Sequence, residues 1–71
     1  NIKNNKKLSD YYFSNKQYDE AFTLIIDLFV KTKKENRAEL KKILISYFNV
    51  LGDTHEKTIG ARRKLSSIIF S

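Results

Sequence analysis

The one histidine of this chain, His55, follows Asp53 and Thr54 and precedes Glu56, the only place where proton-passing chemistry could gather. A histidine held by carboxylates can serve as a general acid or base near neutral pH. These neighbours, however, are adjacent in sequence at a point where a helix is expected to begin, and capping explains them without catalysis. No cysteine is present to act as a nucleophile or thiolate ligand. A metal site would therefore rest on carboxylates beside a single imidazole, which suits zinc poorly. Nor does the sequence contain a glycine-rich phosphate loop, a nucleophile elbow or a spaced carboxylate pair. The expectation is a protein that is not an enzyme and carries no cofactor or metal.

Binding chemistry has three candidates. Tyr11, Tyr12 and Phe13 are consecutive, so on a helix one or two must face the core and the remainder is free for a contact. Arg62, Arg63 and Lys64 could meet phosphates, and a helical hairpin with a basic second helix invites a helix-turn-helix reading. Lys57, Thr58, Ile59 and Gly60 are a poor set for reading base edges, which weighs against DNA. Ile68, Ile69 and Phe70 point in three directions, whereas a terminal helix needs one apolar stripe for its hairpin. At least one should stand exposed unless another chain covers it. The expected partner surface is Arg62, Arg63, Leu65, Ile68, Ile69 and Phe70.

These residues need helices to position them. Leu40, Ile43, Leu44, Tyr47, Phe48 and Leu51 follow the i, i+3, i+4, i+7 series of one helix face. Thr58, Ala61, Leu65, Ile68 and Ile69 repeat it after a joint at Gly52, where a glycine can take the left-handed conformation and Asp53 or Thr54 can cap the next helix. Upstream, residues 2–14 predict a first helix with Ile2, Leu8, Tyr12, Asn5 and Ser9 on a common face. After a polar turn at residues 14–17, YDEAFTLIIDLFVK predicts a second helix over residues 18–31. Its stripe of Tyr18, Ala21, Phe22, Ile25, Leu28 and Phe29 is widened by Leu24, Ile26 and Val30, so it should be the central element. Asn36 and Glu39 read as a capping box that starts the third helix, which should run to about Val50. The fourth should begin near Thr54, with Arg62 to Lys64 toward its negative dipole end. The fold class is all-α, four helices in two stacked antiparallel hairpins.

Composition bounds the rest. Seventy-one residues suffice for one small domain, which buries roughly 60% of the surface of its unfolded chain and is marginal for that reason. The chain has no proline and only two glycines, which favours helices. It has no methionine either, even at position 1, which suggests a domain of a longer protein. The longest apolar run, Leu24 to Val30, is broken by Asp27 and too short to cross a bilayer, and no signal-peptide pattern opens the chain; a cytoplasmic protein is expected. The net charge of +6 would ordinarily raise nucleic acid as a partner. But eleven of the fourteen basic residues are lysine, alongside six asparagines and eight isoleucines, a bias that AT-rich coding produces without selection for binding.

Leu8, Ser9, Tyr12, Tyr18, Ala21, Ile25 and Leu28 have the large-small alternation of a tetratricopeptide repeat, with Lys16 in place of the usual turn glycine and Lys33 near the usual closing proline. With KQYDEAFTLIIDLFVK, RAELKKILISYFNVLGD and ARRKLSSIIF taken together, residues 5–70 resemble the C-terminal helical domain of bacterial thioredoxin-fold co-chaperones, the YbbN-type chaperedoxins. Tyr47 to Gly52 and Arg62 to Phe70 match that family's "LFELLG" and "RRKLAS-LLF" helix pieces, while His55-Glu56 stands where the family often has Asp-Pro. The resemblance implies a thioredoxin-like domain before Asn1, a holdase activity toward unfolded client proteins and a GroEL-type chaperonin as partner. It implies that this helical domain is a protein-binding module. Self-association into a homo-oligomer is the alternative of another class, and a small basic nucleic-acid-binding domain a third.

Overall fold

In the computed structural model, which describes residues 2–70, the chain folds as α1 (Ile2–Ser14), α2 (Tyr18–Lys31), a short 3-10 turn (Lys34–Asn36), α3 (Ala38–Leu51) and α4 (Glu56–Ile69). The four expected helices are present, and their packing is that of two stacked hairpins. α2 packs against all three other helices. This follows from its composition: Ala21, Phe22, Ile25, Ile26 and Phe29 are all buried, so no single neighbour could cover it. α3 supplies Leu40, Ile43, Leu44, Tyr47 and Phe48, and α4 supplies Thr58, Ala61 and Leu65. From α1 only Ser9 is fully buried, with Ile2, Tyr12 and Phe13 packed at the margin. Leu8, expected on the inner face, is 43% exposed, and Val30 also lies outside. Both helices turn a narrower face inward than the apolar count suggested.

The helix ends show where local chemistry fixed the path. α1 closes in a Schellman motif: Gln17 N–H donates to Tyr12 O (2.9 Å) and Lys16 N–H to Phe13 O (3.0 Å). This places Lys16 at the left-handed position, with φ +62°. Lysine therefore occupies the place a glycine would hold more easily. Asp19 and Glu20 in the first turn of α2, and Lys31 in its last, suit the helix dipole.

The expected capping box at Asn36 does not form. Asn36 belongs to the 3-10 turn, and α3 starts after Arg37 without a side-chain cap. Arg37 instead reaches backward. Its Nε–H lies 2.9 Å from both Phe29 O and Thr32 O, while Nη2 is 3.4 Å from Val30 O. The guanidinium also lies over the Phe29 ring, 4.6 Å from its centroid. One side chain thus meets three carbonyls at the end of α2, of which Phe29 O also accepts from Thr32 N–H, and ties that end to the start of α3.

At the second joint Gly52 has φ +96° and ψ 153°, and its N–H donates to Phe48 O at 2.8 Å. The positive φ matches the expectation, but ψ is extended rather than left-handed helical. A Cβ there would meet nothing within 4 Å, so backbone conformation alone asks for glycine. The fourth helix starts at Glu56, two residues beyond the expected Thr54. Its cap is His55, whose Nδ1 accepts from Lys57 N–H at 3.1 Å, rather than Asp53 or Thr54. Arg62 to Lys64 lie in the middle of α4, and its last turn holds no basic residue, so the expected dipole complement there is absent.

Candidate functional site

His55 has a structural task. Besides capping α4, its ring meets Tyr18 edge-on with centroids 5.8 Å apart. Among the described residues no group of His, Asp and Glu side chains could hold a metal ion. No helix of the described residues is long and apolar enough to cross a membrane.

The aromatic trio divides as a helix requires. Phe13 stacks on Tyr47 with centroids 4.3 Å apart and meets Phe22 and Tyr18 edge-on, Tyr12 is half-buried, and Tyr11 is left outside. Phe22 in turn lies between Tyr47 and Phe48, so an aromatic chain runs from α1 through α2 to α3.

At the inner end of that chain the α1–α3 contact is closed by a polar clasp, which the sequence reading missed. The Tyr47 hydroxyl donates to Asp10 Oδ1 at 2.5 Å, so in its 2.6 Å contact with Ser9 Oγ the serine must be the donor. The Lys6 carbonyl, 3.0 Å away, competes for that same serine proton. Lys6 Nζ binds the other Asp10 oxygen at 2.7 Å. Burial and the hydrogen bond to Asp10 push the Tyr47 hydroxyl well above the ordinary tyrosine range. Partial burial works to raise Asp10, but the hydrogen bonds from Lys6 and Tyr47 and the Lys6 charge prevail and hold it below the usual carboxylate value. The sequence puts Ser9 on the inner face of α1 and Tyr47 on that of α3, but their spacing does not say that the two meet.

The far end of α4 is the opposite case. Of the six residues assigned to a partner surface, Leu65 lies in the core and Ile68 packs against it. Those two hold the helix down and are not free for a partner. Arg62 lies over the Phe48 ring at 5.2 Å and reaches Asp53 at 3.4 Å, while Arg63 is exposed. Ile69 is 44% exposed and Phe70 85%. The surplus apolar side chains predicted from the triple Ile68-Ile69-Phe70 are thus present at the last two positions. Ile69 also borders a groove of about 380 Å³, lined with Phe29, Lys34, Arg37, Ala38 and Lys41.

Two antiparallel helical hairpins, stacked so that one central helix touches all others, define a helical-repeat module. A family model described as tetratricopeptide repeat matches residues 1–70, and the chain belongs to that family. No curated protein and no solved structure matches the chain.

Proposed function

We propose that this domain is the docking module of a thioredoxin-fold co-chaperone, and that it attaches to a GroEL-type chaperonin through the exposed end of α4. In this reading the full-length cytoplasmic protein holds unfolded clients, and the helical domain brings them to the machine that refolds them. The domain contributes binding and no catalysis. Two things support the reading: the resemblance of residues 5–70 to the helical domain of chaperedoxins, and the exposure of the consecutive Ile69 and Phe70 just beyond Leu65 and Ile68, which are committed to the core.

That exposure is the observation that carries it. A small domain has little reason to leave a phenylalanine this open unless something covers it. The double substitution Ile69→Ser/Phe70→Ser removes the surface while leaving Ile68 and Leu65 to hold α4 in place. Chaperonin capture by the wild-type chain and its loss in the folded variant is the expected result; equal capture by both would sink the idea. A second copy of the chain could cover the same pair of side chains. Sedimentation over a concentration series separates the two, since a monomer at high micromolar concentration removes self-association.

A further inference from the structure

The second and fourth helices carry opposite charge. Residues 18–30 of α2 hold three carboxylates, Asp19, Glu20 and Asp27, and no cation. Residues 57–70 hold four cations, Lys57, Arg62, Arg63 and Lys64, and no carboxylate. Within the chain this contrast is used once, where Lys57 Nζ binds Asp19 Oδ2 at 2.9 Å. Elsewhere it is left open. A groove of about 360 Å³, lined by α1 and α2 alone, sets Tyr12, Thr23 and Leu24 beside Asp19, Glu20 and Asp27, and no lysine or arginine borders it. Leu8 stands exposed one turn before Tyr12. The ion pairs among the described residues use Asp10, Asp19 and Asp53, so Glu20 and Asp27 enter none of them. On α4, Lys57, Gly60, Ala61 and Lys64 border a pocket shared with α2, and Arg62 lies over Phe48 of α3. Ile59, Arg63 and the C-cap residue Phe70 follow the i, i+4, i+11 spacing of a different face, and all three are exposed.

We infer that copies of this chain assemble head to tail, the exposed face of α4 in one copy lying in the acidic groove of the next. Ile59 and Phe70 then pack against Leu8, Tyr12 and Leu24, with Arg63 set against Glu20 and Asp27. The inference rests on the reading of the end of α4 as an interaction surface and adds what covers that surface when no other partner is present. A stack of helical hairpins buries apolar faces only between neighbours, and its ends stay soluble when their outer faces are polar. Both surfaces here keep large apolar side chains in the open. Charge then selects the occupant. The groove on α2 is an acidic surface on a chain of net charge +6, and the basic, apolar face that fits it belongs to the same chain. A two-fold contact would set carboxylates against carboxylates or cations against cations, whereas joining the unlike faces pairs opposite charges. Each dimer formed this way keeps one free face of either kind, so growth continues past two copies.

The test is sedimentation velocity over a concentration series, with circular dichroism to confirm that each variant stays helical. The wild type should grow past a dimer as concentration rises, and less so at high salt. Ile59→Ser/Phe70→Ser spoils one face and Glu20→Lys/Asp27→Lys the other, and each should weaken association by at least about tenfold. Mixed in equal amounts, the two variants should form a one-to-one dimer that grows no further, because each supplies the face the other lacks. The single substitutions Phe70→Ser and Asp27→Lys replace any double variant that loses helix content. A wild type that stays monomeric at high micromolar concentration, or stops at a dimer, overturns the inference. So does a mixture that sediments as its separate parts do. Chaperonin capture keeps the two readings apart, since Glu20→Lys/Asp27→Lys leaves the end of α4 intact and should be captured as the wild type is. Head-to-tail assembly without chaperonin capture removes only the chaperonin; chaperonin capture by a strictly monomeric chain removes only the assembly.

Discussion

Tyr47 and Phe70 are aromatic side chains of similar size at opposite ends of one small domain, and their surroundings could hardly differ more. Tyr47 is 5% exposed, stacked on Phe13, and its hydroxyl is held by Ser9 and Asp10. Phe70 is almost wholly in solvent. At the α1–α3 clasp every group has a partner within the domain. At the end of α4, Ile69 is 44% exposed and Phe70 85%. Leu8, Tyr11, Val30, Ile45, Val50 and Ile59 are exposed as well, so what sets the end of α4 apart is that two large apolar side chains, Ile69 and Phe70, stand open at consecutive positions.

The sharpest way to test that contrast is to truncate one apolar side chain in each setting. Leu44, fully buried on α3, should cost about 3 kcal/mol when changed to alanine, a large part of the stability of a domain of this size. Phe70→Ala should stay within about 0.5 kcal/mol. Urea denaturation of both variants measures this directly, and comparable losses would place Phe70 in the core after all.

The clasp itself comes next. Tyr47→Phe keeps the stacking on Phe13 but leaves Ser9 and Asp10 without their shared partner, at a cost of about 1–2 kcal/mol. The variant also isolates a pH effect. The hydroxyl's pKa is raised on folding, so its contribution is fully present below the ordinary value of 10.0 and is lost as the pH climbs beyond it. The stability difference between wild type and Tyr47→Phe should therefore shrink above about pH 10. Asp10 works in the other direction. Its lowered value means that stabilisation is lost as the pH falls below the usual 3.8.

Smaller effects sit at the helix ends. Arg37→Ala removes the backward cap on α2 and the contact with Phe29, and should lower stability by about 1 kcal/mol in thermal or urea melts. Lys16→Gly should raise stability, by about 0.5–1 kcal/mol, because it relieves a side chain held at positive φ in the Schellman turn. A loss on that substitution would mean that Lys16 makes up for its backbone elsewhere.

What the sequence revealed and what it hid divide along the same line. Periodicity found all four helices, the central place of α2 and the core face of α3, because those depend on apolar spacing within a single element. It required at least one of Ile68, Ile69 and Phe70 to stand open, since three apolar residues in a row exceed one stripe, but it counted the half-exposed Ile69 in the core series. It placed Leu65 with them although Leu65 continues the core series from Thr58 and Ala61; the burial follows from the spacing, and only the proximity to the tail misled. Helix starts were less legible. A capping motif at Asn36 lost to a 3-10 turn, and His55 took the role expected of Asp53 or Thr54, because a cap depends on the path of the chain as well as on residue type. The Ser9–Tyr47–Asp10 clasp and the Arg37 cap were out of reach for a plainer reason. Each joins residues whose meeting is set by how helices pack, and local spacing carries no trace of it.

The central claim is that the end of α4 is a binding surface and not a leftover. The most direct measurement is the affinity of a GroEL-type chaperonin for the wild-type chain and for Ile69→Ser/Phe70→Ser, with circular dichroism to confirm that both remain helical. Binding by the wild type and a loss of at least about tenfold in the variant is the predicted result. Binding of equal strength by the two folded proteins would contradict it.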